Sequence, residues 1–362
     1  MNVVVINKEK FQNRPPVIST VLNLSNLGYN ITLITVEINS FWEEKLKSKG
    51  INIVVIPDSR NCDKFSRLIE YYHFRKKALL CIDDLAKKDA QMLLWIIGGN
   101  TILCFGKSLL KYKFILQIQE LHENDHFFLK QLGKIINKAE SVFIPEYNRS
   151  LIYQVWYKMK KQPIVLPNKP YFLPSKTELE RLKTKYKDSI DALTGKKVVI
   201  FQGHIRDITN YVKAVKELGS PYQILLVGHN HGILDKLKEI DNSIMYIEFI
   251  PAPDYLVFTS LAYVGILTYE TNSINNIFCA PNKIFEYSAY GIPMLAKDIP
   301  GLRMIEYEKA GKVVNEDDVE SIKKALIDID ANYKQYSMYS QNLYDNTDNQ
   351  ESIRKEIEKV IF

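Results

Sequence analysis

No apolar run in this 362-residue sequence approaches the roughly 20 residues that a membrane-spanning helix needs. Cysteine is scarce. The four present (Cys62, Cys81, Cys104, Cys279) lie far apart with no CxxC pair, and three sit among apolar neighbours, the pattern of buried thiols in a reducing compartment. Neither sign of charge dominates: 48 Lys+Arg against 42 Asp+Glu leave +6, too mild to imply a nucleic-acid partner without a concentrated patch. No signal peptide opens the chain, because MNVVVIN reads as a strand followed by charges. No repeat of about 20–50 residues recurs, which excludes a solenoid. These absences predict a soluble, cytoplasmic protein.

What is present is ordinary globular material, 46% apolar and 25% charged, enough for two cores. The length also suggests two domains. The first third alternates short β-branched runs with helical patterns: NVVVI (2–6), an amphipathic stretch over 16–27, ITLITV (31–36), a helix over 42–49, and INIVVI (51–56). TILCF (101–105), FILQI (114–118), SVFI (141–144) and IVLP (164–167) continue the series. Strands that are apolar throughout mark a parallel sheet covered on both faces. Residues 167–197 hold three prolines and a charged helix but no strand, and read as a linker. The rhythm then restarts with VVIFQG (198–203), YQILLVG (222–228), IMYIEFI (244–250), AYVGIL (262–267), PMLAK (293–297) and KVV (312–314). The sequence thus predicts two doubly wound α/β domains, whose ligands bind beyond the carboxyl ends of the strands, in a deep cleft between them.

Three signals look sharper than their context allows. HENDH (122–126) fits the HExxH zinc pattern, which needs both histidines on one helix. Asn124-Asp125 is turn and N-cap chemistry, so the helix is expected to begin after Asp125. Gly106-Lys107-Ser108 ends like a phosphate-binding loop, but position 101 is Thr101 where that loop requires glycine, and a strand-to-loop turn is expected. GHNHG (228–232) brings two imidazoles together with no third ligand nearby, and reads as a polar loop at a strand end rather than a metal site.

The stretch 280–301, APNKIFEYSAYGIPMLAKDIPG, is different. A helix starting near Asn282 would turn its unpaired N–H groups toward a ligand, and Lys283 in the first turn would add a full charge. Glu286, one turn on, could accept bonds from vicinal hydroxyls such as those of a ribose. That combination suits a nucleotide diphosphate, although on spacing alone a capped amphipathic helix with Lys and Glu solvated is the favoured reading.

The same run resembles the donor-binding signature of GT-B glycosyltransferases, those of glycosyltransferase family four in bacterial surface-polysaccharide pathways in particular. FQGHIRDITNYVKAVKEL (201–218) with PYQILLVG (221–228), FILQIQELHEN (114–124) and IVLPNKP (164–170) resemble further segments of that family, in the right order along most of the chain. The resemblance implies the GT-B fold, two Rossmann-like domains facing each other across a cleft. Residues 1–170 would bind acceptor and 171–345 the sugar nucleotide, with a helix over 346–362 returning to the first domain. It implies transfer of a hexose-type sugar from a nucleotide-diphosphate donor to a glycan or polyprenyl-linked acceptor, with retention and without metal.

Residue by residue, Arg206 and Lys283 would bind and stabilise the leaving diphosphate beside Asn282, and Gly203 would let the backbone approach it. Glu286 would hold the ribose, and His122 would meet the transferring sugar. Phe278 replaces a glutamate common in the family, so Asn275, Asn276 or Glu270 would take over sugar contacts. Tyr263 replaces a common aspartate, and the loop after the first strand, NKEKFQNRPP, lacks the frequent glycine pair. The departures leave two alternatives: a non-catalytic scaffold subunit, or a sugar-nucleotide epimerase of the same architecture. No DxD motif stands at a strand end, since Asp83-Asp84 and DID (328–330) read as helical. Three basic-aromatic clusters in the first half, YYHFRKK (71–77), KSLLKYKF (107–114) and VWYKMKK (155–161), suit an anionic membrane surface on the cytoplasmic face.

Overall fold

The computed structural model describes residues 1–58, 64–89 and 91–361. It divides into two units, Met1–Tyr171 with Asp348–Phe362, and Phe172–Thr347. The first is built on seven parallel strands: β1 (Asn2–Lys10), β2 (Asn30–Glu37), β3 (Asn52–Val55), β4 (Leu93–Ile97), β5 (Phe114–Gln117), β6 (Ser141–Ile144) and β7 (Ile164–Val165). Their order is β3-β2-β1-β4-β5-β6-β7. The chain winds outward from β1, then returns to β4 on its other side. At that reversal the connections leave in opposite directions, so a crevice opens above the carboxyl ends of β1 and β4. Val3–Ile6 and Leu93–Ile97 are buried along their whole length, as strands covered on both faces must be.

Two local expectations fail here. TILCF is not a strand: it lies in a helix, Gly99–Phe105, and the strand is LLWII just upstream. Both runs are short and apolar, and periodicity does not separate a buried strand from a buried helical turn. Gly106-Lys107-Ser108 therefore follows a helix rather than a strand. The NKEK that reads as a loop instead extends β1, with Lys10 in register with Glu37 of β2. Lys8 makes this possible: it is buried, its ammonium 2.7 Å from Asp58 and 5.0 Å from the Tyr71 ring centroid.

The second unit holds six parallel strands: β8 (Lys197–Ile205), β9 (Tyr222–Asn230), β10 (Met245–Ile247), β11 (Val264–Leu267), β12 (Met294–Lys297) and β13 (Gly311–Val314). The order is β10-β9-β8-β11-β12-β13, with the reversal between β8 and β11. Helices Lys176–Lys185 and Lys187–Asp191, within the stretch read as linker, belong to this unit. Leu182 and Leu193 enter its core, with Leu179, Tyr186 and Ile190 packed against it. Their spacing of three or four residues is a helix face hidden in a polar composition. The closing helix Asn349–Ile361 lies on the first unit, burying Ile353 and Ile357 and donating from Asn349 Nδ2 to the Pro167 carbonyl at 2.9 Å.

Among the described residues no helix is long and apolar enough to cross a membrane. Cys104 and Cys279 are buried and Cys81 half-buried, while Cys62 lies outside the described residues. Asp83-Asp84 and Asp328–Asp330 lie in helices.

Candidate active site

In the second unit a glycine stands near the carboxyl end of each of β8 and β9. Gly203 has φ +108°, and a β-carbon there would come within 3.0 Å of Lys283 Nζ. Gly228, its register partner on β9, has φ +139°, and a β-carbon would fall 1.9 Å from the Gly203 carbonyl oxygen. Neither position has room for a side chain, and L residues rarely adopt either backbone conformation. Lys283 reaches this surface from the first turn of helix Asn282–Ser288. Arg206, just past β8, lays its guanidinium 4.9 Å from the Tyr269 ring centroid.

Among the described residues, neither Lys283 nor Arg206 has a carboxylate within ion-pair distance. Desolvation, and then the nearby Arg206, push the Lys283 ammonium below its ordinary pKa, while Glu286 opposes them. A partly desolvated lysine facing a second cation, with no anion to neutralise either, is an arrangement that an anionic ligand relieves.

Glu286 is buried, one turn further along the same helix. Its carboxylate accepts from Gln202 Nε2 at 2.6 Å and from the Tyr255 hydroxyl at 2.5 Å, and Gln202 Oε1 in turn accepts from Thr259 at 2.8 Å. Burial raises the Glu286 pKa, against the pull of Tyr255, Lys283 and Gln202. Two protein donors leave the carboxylate roughly two further acceptor positions.

The first unit has its own cavity at the carboxyl ends of β1, β4 and β5, about 190 Å³ in volume. Its lining includes Asn7, Glu9, Arg14, Gly99, Gln119 and His122. His122 sits on the loop after β5 with φ +57°, its ring 4.2 Å from that of Phe128. A β-carbon on Gly99 would come within 2.8 Å of His122 Nε2, so the imidazole lies directly over the start of helix Gly99–Phe105. Desolvation lowers its pKa, with Glu120 and Asp125 opposing, which favours the neutral ring.

Asp125 caps helix His126–Leu132, accepting from the Phe128 amide at 2.9 Å. His122 therefore precedes that helix, and the HExxH geometry does not form. Among the described residues no group of three or more His, Cys, Asp or Glu is arranged to hold a metal.

The remaining positions sort as follows. Asn275 and Asn276 lie on a short helix, Ile274–Ile277, capped by Ser273, in the connection after β11. Asn276 donates to Asn272 at 2.8 Å, and Asn272 donates to Glu270. Phe278 ends that helix, and Tyr263 stacks on Tyr333 at 4.1 Å. The sequence pairs His229 with His231 but misses His204. Its position at the end of β8 is adjacent only because β8 and β9 align in register.

No family model matches the chain, and no curated protein matches it in sequence. Solved structures match it in shape. HepE of Anabaena, in complex with UDP and glucose, gives a TM-score of 0.67 at 12% identity, covering 100% of this chain and 97% of that one. A glycosyltransferase from Rickettsia africae gives 0.67 at 14%, covering 99% and 97%. UDP-GlcNAc 2-epimerase from Neisseria meningitidis, bound to UDP-GlcNAc, gives 0.64 at 13%, covering 99% and 100%. The chain has the two-domain α/β fold of GT-B glycosyltransferases.

Proposed function

We propose that this protein is a glycosyltransferase that moves a hexose-type sugar from a nucleotide-diphosphate donor to a glycan or polyprenyl-linked acceptor in bacterial surface-polysaccharide synthesis. The observation that carries this reading is the unpaired pair of cations, Lys283 and Arg206, beside the bare backbone of Gly203. In the proposed reaction they bind the diphosphate next to Asn282 and meet the charge that grows on it as the glycosidic bond breaks. Fixed cations aimed at developing charge can replace a divalent ion, so the reaction is metal-independent. Glu286 takes the ribose hydroxyls with its remaining acceptor positions. Asn275, Asn276 and Glu270 contact the donor sugar. His122 meets the sugar in transit, and front-face attack retains its configuration.

A second reading, sugar-nucleotide epimerase, has a specific observation behind it: the likeness to an epimerase bound to UDP-GlcNAc. Incubation with a panel of UDP-, GDP- and ADP-sugars, with chelator present, separates the readings. Nucleoside diphosphate release that depends on an added acceptor supports transfer. Conversion to an epimeric sugar nucleotide would replace it, and inertness toward all donors would favour a scaffold subunit.

We also propose that the first unit meets the cytoplasmic face of an anionic membrane. Helix Lys64–Ala86 exposes Leu68 and Tyr72, neighbours on one face at i and i+4, and Leu80 further along. Val155 and Trp156 are exposed beside Lys158, Lys160 and Lys161. Apolar side chains flanked by lysines suit the headgroup layer.

A further inference from the structure

Three imidazoles converge beside the unpaired cations. His204 on β8 is in register with His229 on β9. His231 folds back so that its Nε2 lies 2.9 Å from His204 Nδ1, and the ring centroids of the three stand 5.2 to 6.4 Å apart. The loop that carries them is held in place. Asn230 Oδ1 accepts from the backbone N–H groups of Gly232, Ile233 and Leu234 at 3.0, 3.1 and 3.2 Å. The His229 ring stacks on Phe249 at 4.2 Å.

The short nitrogen-nitrogen contact needs one N–H and one lone pair, so the His204–His231 pair carries at most one positive charge while it lasts. The charged groups around it are Arg206 and Asp207 after β8, Lys236 on helix Leu234–Ile240, and Lys283 on helix Asn282–Ser288. Asp207 is already tied to Lys236 at 2.7 Å. Desolvation, followed by His231, His229, Lys283 and Arg206, holds His204 below the ordinary imidazole range. The charged form of His204 is thus disfavoured while no anion is bound. A diphosphate between Lys283 and Arg206 would offset the repulsion from both cations, and an anion favours the charged imidazole.

We propose that the histidine cluster is a proton-switched third cation of the donor site: diphosphate binding draws one proton from solvent onto the His204–His231 pair. This rests on the assignment of Lys283 and Arg206 to the donor. Donor is then held more tightly as pH falls, and loss of the proton assists release of the nucleoside diphosphate product as pH rises.

The test is calorimetric titration of the full chain with UDP, GDP and ADP in turn, between pH 6 and pH 8, in two buffers of different ionisation enthalpy. His204→Asn/His231→Asn serves as the baseline for the nucleotide's own titration, and His204→Asn alone as a second variant. The wild type should take up more protons on binding than either variant. Its affinity should fall roughly three- to tenfold more steeply across that range, a coupling of about one pKa unit or less. Equal uptake and equal pH dependence in all three proteins would overturn the inference while leaving the donor site standing. Failure of every nucleotide to bind would overturn both.

Discussion

The Lys283 ammonium occupies the space that a side chain on Gly203 would need, 3.0 Å from where its β-carbon would stand. One glycine thus both exposes backbone at the end of β8 and lets a cation from a helix some eighty residues later settle over it.

On the proposed reaction, Lys283→Ala and Arg206→Ala should each lower turnover by about 10²–10³ while the protein stays folded, since each would remove a charge that meets the leaving diphosphate. Steady-state kinetics with thermal melts checks this. Near wild-type rates in both variants would remove the assignment.

Alanine at Gly203 and at Gly228 should behave differently. At 203 the obstruction is the flexible end of Lys283, so the cost is backbone strain of about 1–2 kcal/mol together with a displaced cation. Donor KM should rise with only a modest loss of Tm. At 228 the obstruction is the Gly203 carbonyl oxygen at 1.9 Å, which cannot move without breaking the β8–β9 ladder. Gly228→Ala should be poorly folded, and a Tm close to wild type would contradict the close approach of these strands.

Glu286→Ala leaves the Gln202 amide and the buried Tyr255 hydroxyl without an acceptor, at a cost of about 1–3 kcal/mol. If Glu286 also holds the ribose, donor KM should rise more than kcat falls, because such a contact forms before transfer and persists through it. A purely kcat effect with unchanged KM would place Glu286 in the framework alone.

For the membrane face, co-sedimentation should show binding to anionic but not neutral vesicles. Salt should weaken it, as should charge reversal at Lys158, Lys160 and Lys161 and Tyr72→Ser on the exposed helix face. Indifference to both vesicle types would leave no surface role for these residues.

Most of the fold was legible in the sequence, because central strands buried on both faces must be apolar along their length, and such runs stand out between helical segments. Where two short apolar runs flank a glycine pair, as LLWII and TILCF do, the sequence assigned the strand to the wrong one: burial makes both apolar, and only β4 pairing with β1 and β5 decides between them. The polar text of Asn7–Lys10 could not reveal a strand that continues because Asp58 and Tyr71 receive Lys8. The site divides the same way. Sequence marked Lys283 and Glu286, whose types suit a phosphate and a diol, but needed the family resemblance to prefer that reading over a solvated helix and to add Arg206. It could not show that Glu286 is already bonded to Gln202 and Tyr255, or that His204 joins His229 and His231. Those facts depend on which residues face each other across parallel strands and between helix and sheet, and register is set by the packing of the whole unit.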